Sequence, residues 1–158
     1  MSQSLGLDVT KLKASLLKLQ TDAAYTVAFS AGANGGLYNT AQTVMFQNTL
    51  YAVGGGYDRR TGVFTVPKSG LYIIFCNVVA DRYGNFTATI MINGSERAGV
   101  MVYYGFHSYS YAYHTGSNLI VQQLQVNDRV WIQTVIGGRV YSVNKDTIFT
   151  VVMIKSSE

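Results

Sequence analysis

Beyond about Tyr25 this 158-residue chain never returns to a helical repeat. Apolar residues recur at every second position, in short runs rich in Val, Ile, Thr, Tyr and Phe, and Gly or Asn separates one run from the next. A period of two places alternate side chains on opposite faces of an extended backbone, so these runs predict strands. Candidate strands are 25–31, 43–47, 62–66, 70–80, 86–92, 98–104, 107–113, 118–125, 129–136 and 147–154. Asn93-Gly94 predicts a tight hairpin, because both residue types tolerate the positive φ of a type I′ turn, and Gly137-Gly138 predicts another. About ten short strands with no helix between them predict an all-β fold, a sandwich or a jelly roll.

The first 23 residues differ. Leu5, Val9, Leu12, Leu16 and Leu19 are spaced 4, 3, 4, 3, an a/d heptad seam, with Lys11, Lys13, Lys18 and Asp22 off it. Residues 1–23 are therefore expected to form a short helix and 24–158 the globular domain. Fewer than three heptads is marginal for a helix alone in water. It must either lie on its own domain or join protomers as a short parallel coiled coil, and the second is the expectation.

Only 13 % of residues are charged while 48 % are apolar. That balance excludes intrinsic disorder, which needs the reverse, and one proline without a G-X-Y period excludes collagen. No apolar run reaches the ~18 residues of a membrane span. The start, Met1-Ser2-Gln3-Ser4, lacks a basic stretch leading into an apolar one, so it does not read as a secretory signal. A net charge of +4 without a basic run suggests no nucleic-acid partner. So few charges predict that part of the surface is covered by another copy. The run 71–80 points to where: Leu71, Ile73, Phe75 and Val79 alternate with Tyr72, Ile74, Cys76, Val78 and Ala80, so both faces are apolar.

The residues from about Val27 to Ile154 resemble the C1q domain, the globular head of the C1q and tumour-necrosis-factor superfamily. Val27-Ala28-Phe29-Ser30-Ala31 matches the opening strand, and Val44-Met45-Phe46 resembles the next. Gly56-Tyr57-Asp58-Arg59-Arg60-Thr61-Gly62-Val63-Phe64-Thr65-Val66-Pro67 follows the pattern G-x-Y-D-x-x-T-G-x-F-x-x-P, and Gly70-Leu71-Tyr72-Ile73-Ile74-Phe75 continues it. Asn93-Gly94, Ser117-Asn118 and Asp128-Arg129-Val130-Trp131 match in order. Two departures stand out: Asn127-Asp128 where the family has Gly-Asp, and Phe149-Thr150-Val151 where it has Phe-x-Gly. The collagen stalk of many members is replaced by the leucine heptads, as in collagen-free, invertebrate-type members. The resemblance implies a secreted, extracellular homotrimer that is not an enzyme. It implies lectin-like pattern recognition in innate immunity, with glycans or microbial surface polysaccharides as partners. The alternative is an extracellular signalling ligand for a protein receptor, as in the cytokine and synaptic-organiser branches.

On that frame the candidate residues fall into three sets. Tyr109, Tyr111 and Tyr113 share one side of an extended run and, with Tyr72 and Ile74, are the expected trimer interface. Leu5, Val9, Leu12, Leu16 and Leu19 are the expected coiled-coil seam. Arg82 and Tyr83, with Arg139, Tyr141 and Lys145, are the candidate ligand-binding residues, because Arg and Lys pair with carboxylate or sulfate and Tyr stacks on a sugar face. The mild positive charge suits anionic glycans. Some relatives bind calcium through acidic side chains near the trimer apex. Here only Asp81, Asp128 and Asp146 are placed for it, with no carboxylate-rich loop, so no cofactor is expected.

Catalytic patterns are missing. Gly54-Gly55-Gly56 runs into Tyr-Asp-Arg, not Lys-Ser/Thr and a helix, so it is no phosphate loop. His107 and His114 cannot complete a zinc set with the lone Cys76, which is expected to be a buried thiol. Asn85-Phe86-Thr87 and Asn93-Gly94-Ser95 both fit the N-glycosylation sequon.

Overall fold

The computed structural model describes residues 2–81, 85–103 and 113–157. One helix, α1 (Ser2–Ala24), leads into ten strands. These are β1 (Ala28–Tyr38), β2 (Asn48–Val53), β3 (Tyr57–Asp58), β4 (Val63–Thr65), β5 (Gly70–Ala80), β6 (Phe86–Ile92), β7 (Ser95–Val102), β8 (His114–Leu124), β9 (Arg129–Ile136) and β10 (Gly138–Ser156). They form two five-stranded sheets, ordered β2-β1-β10-β5-β8 and β3-β4-β9-β6-β7, with antiparallel neighbours. This is the all-β, ten-stranded jelly-roll sandwich that the resemblance implies, and the period-two pattern agrees with it.

The aromatic residues cluster between the sheets. Phe29 stacks on Tyr57 at 4.3 Å and meets Phe149 edge-on at 5.1 Å, while Phe46, Phe64 and Tyr72 complete the cluster, all fully buried. Val151, standing where the resembled pattern has glycine, is itself 0 % exposed and adds to this core.

The signature around Gly56 has a physical reason at each position. Gly56 has φ +107°, and a Cβ there would lie 2.5 Å from the Phe64 ring. Asp58 organises the turn between β3 and β4. Its Oδ1 accepts from the Arg60 backbone N–H at 2.9 Å, and its carbonyl accepts from Gly62 N–H at 2.9 Å. Gly62 has φ +77° against the Val44 carbonyl.

Two sequence expectations shift. Residues 43–47 make a single bridge, Thr43 to Gln133, rather than a strand, and the second strand follows at β2. Val44 and Phe46 are nonetheless fully buried, so their alternation reports burial without a ladder. The last strand begins earlier than expected and is interrupted. Val140 pairs with Ala80 and Ile148 with Asn77, so the chain between them bulges out of the ladder. Thr147, fully buried, closes that bulge: its hydroxyl donates to the Tyr141 carbonyl at 3.1 Å and accepts from Val79 N–H at 3.1 Å.

The Asn93-Gly94 hairpin forms as expected, with φ of 51° and 85°. Asn93 does more than turn. Its Nδ2 donates to Asp128 Oδ1 at 2.9 Å and its Oδ1 accepts from Arg129 N–H at 2.8 Å, tying the β6–β7 turn to the β8–β9 turn. Asn127 fills the place of glycine with φ 74°. Asn93→Ala removes both side-chain bonds and keeps the positive φ, and should lower stability by about 1–2 kcal/mol. Urea titration at fixed protein concentration reads this; a change within error would reduce the tie between the two turns to decoration.

Helix α1 is exposed along its length from residue 4 to 21, the seam residues Leu5, Val9, Leu12, Leu16 and Leu19 among them. The helix therefore does not lie on the domain. Where it ends, the Tyr25 N–H donates to Thr21, and Lys68 sits 4.3 Å over the Tyr25 ring.

Candidate functional site

Of the candidate ligand residues, Arg139, Tyr141 and Lys145 stand at one end of the sandwich, where β5 ends and β8 and β10 begin. Ala80 pairs with both His114 and Val140. The Asp81 N–H donates to the Arg139 carbonyl at 2.9 Å, and Arg139 Nε stands 3.7 Å from Asp81 Oδ2. Tyr141 stacks on Tyr113 with ring centroids 4.3 Å apart. Arg139, Tyr141 and the exposed Lys145 belong to the irregular part of β10, ahead of the strand expected at 147–154. Arg82 and Tyr83 lie outside the described residues. The arrangement sets a cation and an aromatic pair beside a carboxylate.

The interface residues need correction. Tyr72 and Ile74 are 0 % exposed and face the second sheet, and the Tyr72 hydroxyl donates to the Lys68 carbonyl at 2.6 Å. Neither can meet another copy. Periodicity separates the two faces of β5 but does not say which turns inward. Tyr113 precedes β8 and packs on Tyr141, while Tyr109 and Tyr111 lie outside the described residues.

What the correction uncovers is the opposite face of the same strand. Leu71, Ile73, Phe75 and Val79 are only half-buried. The register sets Ile73 between Val121 and Val152, and Phe75 between Leu119 and Thr150. Val121 is 54 % exposed, Leu119 52 % and Val152 36 %, and Ile154 continues the face. Met101 and Tyr103 carry the exposed apolar surface around the β7–β8 edge. Every one of these positions is legible as apolar in the sequence; only the register shows that they are neighbours.

A third feature sits on the opposite flank, where the β2 edge meets the β3–β4 turn. Two adjoining hollows of about 510 Å³ and 400 Å³ share Arg59 and Arg60. Arg60 Nε stands 3.3 Å from Asp58 Oδ1. The Asp58 carboxyl lies below its ordinary range, held there first by the Arg60 backbone N–H and then by the Arg60 guanidinium, so it remains an anion. Arg59 and Arg60 stand in the sequence only as variable positions of a signature, which is why no pattern singles them out.

The remaining candidates have structural roles or stand apart. Cys76 is fully buried, and burial pushes its thiol up to about 12, so it stays protonated and unreactive at neutral pH. Asp128 is occupied by the Gln125 N–H and Asn93, at the end of the sandwich away from Asp81. Asp146 lends its carbonyl to Asn77. His107 lies outside the described residues.

Comparison with known proteins follows the same outline. A family profile described as C1q domain matches residues 28–154. Among solved structures, the globular domain of zebrafish complement 1qA protein is similar at 19 % identity, covering 83 % of this chain and 99 % of that one, with a TM-score of 0.70. Murine APRIL at pH 5.0 is similar at 13 % identity over 82 % of this chain and 99 % of that one, with a TM-score of 0.66. The Eiger TNF from S. frugiperda is similar at 12 % identity over 84 % and 95 %, with a TM-score of 0.65.

Proposed function

The chain belongs to the C1q domain family, and from that we propose a non-enzymatic, secreted homotrimer that recognises anionic glycans as a lectin-like pattern-recognition protein. The observation that carries the assembly is the apolar outer face around Ile73, Val121 and Val152. A contiguous apolar patch of this kind marks an interaction surface on an otherwise soluble domain. It turns the corner from the outer face onto the β7–β8 edge, and two differently oriented patches on one protomer suit a closed heterologous ring. The exposed leucine seam of α1 supports a short coiled coil added to that ring. Among the described residues no helix is long and apolar enough to cross a membrane.

Each head offers a small polar site, and a single such site binds weakly. Three on one axis gain by raising the effective concentration of the second and third contacts. Arg139, Tyr141 and Lys145 on the loop end, together with the arginines of the flank, support an anionic ligand over a neutral one.

The test has two arms. Sedimentation of the full chain beside a chain starting near Ala23 should give a trimer for the first, and dissociation confined to the second would assign assembly to α1. Monomers in both at micromolar concentration would overturn the trimer. A glycan array and an agglutination assay should show binding to acidic sugars. No binding to any sugar, with affinity purification recovering one receptor instead, would replace the lectin reading by that of a signalling ligand.

A further inference from the structure

We propose that the flank cleft between β2 and the β3–β4 turn is a saccharide subsite that takes an acidic sugar through Arg59 and the paired carboxamides of Asn34 and Gln47. This rests on the glycan-binding reading and deepens it by naming a place and a ligand chemistry.

The walls of the cleft are held before any ligand arrives. The Tyr57 hydroxyl donates to the Phe46 carbonyl at 2.7 Å and accepts from the Phe46 N–H at 3.2 Å, which fastens the arginine-bearing turn to the chain entering Gln47. Tyr57, stacked on the buried Phe29, gives the floor an apolar ring. Thr49 and Ala52 belong to the side of β2 facing this hollow, since Ala52 pairs with the buried Phe29. The cleft therefore does not draw on the apolar outer face that assembly covers.

The polar groups match a sugar. Asn34 Nδ2 donates to Gln47 Oε1 at 2.7 Å, which orients both amides. That leaves Asn34 Oδ1 as an acceptor and Gln47 Nε2 as a donor on the lining of one hollow, groups that sugar hydroxyls can pair with. Asn48 lies at the same wall. Arg60 is committed to Asp58, so the two charges largely cancel, whereas Arg59 has no hydrogen bond or ion pair with a described residue. One unengaged guanidinium then sets the sign of the ligand, and its fork favours a carboxylate or a sulfate ester. An apolar ring floor receives the C–H face of a pyranose, and the joint volume of the hollows falls in the range of ligand sites.

The test uses the full chain and defined probes: methyl glucuronide, the 6-sulfate of methyl glucoside, neutral methyl glucoside and inorganic sulfate, titrated by ligand-observed NMR. The two acidic sugars should bind about tenfold tighter than the neutral one, the worth of one charge-assisted pair. Arg59→Ala should erase that preference, and Asn34→Ala should weaken all three sugars, with sedimentation unchanged. Whichever acidic sugar binds tighter identifies the anion. Inorganic sulfate binding as tightly as the sugars would overturn the saccharide assignment. Acidic-sugar binding that survives Arg59→Ala and Asn34→Ala but falls in Arg139→Ala would overturn this subsite and leave the glycan reading standing. No binding of any probe or array sugar by the unaltered protein would overturn both.

Discussion

Val121→Lys should convert this 158-residue chain from trimer to monomer in sedimentation velocity, with its far-UV circular dichroism unchanged. In the isolated protomer Val121 is 54 % exposed on β8, so a lysine there has water and folds without penalty. In an assembled trimer the same position lies beside Ile73 in the middle of the apolar outer face. An unpaired ammonium shut away there costs several kcal/mol at each of three symmetry-related contacts. The heptads of α1 are too few to hold three chains against that cost. Ser95→Lys is the control, exposed at the start of β7 beside the Asn93-Gly94 turn and away from that face. A trimer that survives Val121→Lys would move assembly to the helix.

The comparison between that face and the expected interface explains how far sequence reasoning reaches here. Alternation along β5 identifies two apolar faces, and the scarcity of charge predicts that one of them is covered by another copy. Choosing the face requires knowing which side of the strand meets the second sheet, and that is decided by packing between residues distant in sequence. Tyr72 meets Phe64, and Cys76 lies opposite Phe149 in the ladder. The turns were legible for a different reason: Asn93-Gly94 carries its conformation in its own residues, as its positive φ values show. The strand expected at 43–47 failed because burial of Val44 and Phe46 imitates a strand pattern wherever a segment plugs the edge of a sandwich.

The site divides along the same line. Arg139 and Tyr141 are close in sequence to one another, and the structure does bring them beside Asp81 and Tyr113. Asn34, Gln47 and Arg59 come from three separate segments, none with a composition that sets it apart. Only the β1–β2 pairing and the Tyr57–Phe46 hydrogen bonds place them on one cleft.

The largest loss of stability is expected for Phe149→Ala. Phe149 is 0 % exposed on β10, which lies between β1 and β5 in the middle of its sheet, so neighbouring backbone cannot close in on a vacancy. Its ring meets Phe29 at 5.1 Å, Phe46 at 5.4 Å and Tyr57 at 6.1 Å, so one truncation strips contacts from three other rings. Removing a buried phenyl costs about 3–5 kcal/mol in transfer and cavity terms together. That is a large part of the ~5–15 kcal/mol available to a domain. Measured by urea unfolding in the Val121→Lys background, where association does not contribute, the midpoint should fall at an unchanged m-value. Phe149→Leu fills most of the space and should cost less than half as much. Equal losses for alanine and leucine would mean that ring geometry, rather than volume, holds this core. Tyr57 would then be the next residue to truncate, since its ring and its hydroxyl join the aromatic cluster to the wall of the cleft.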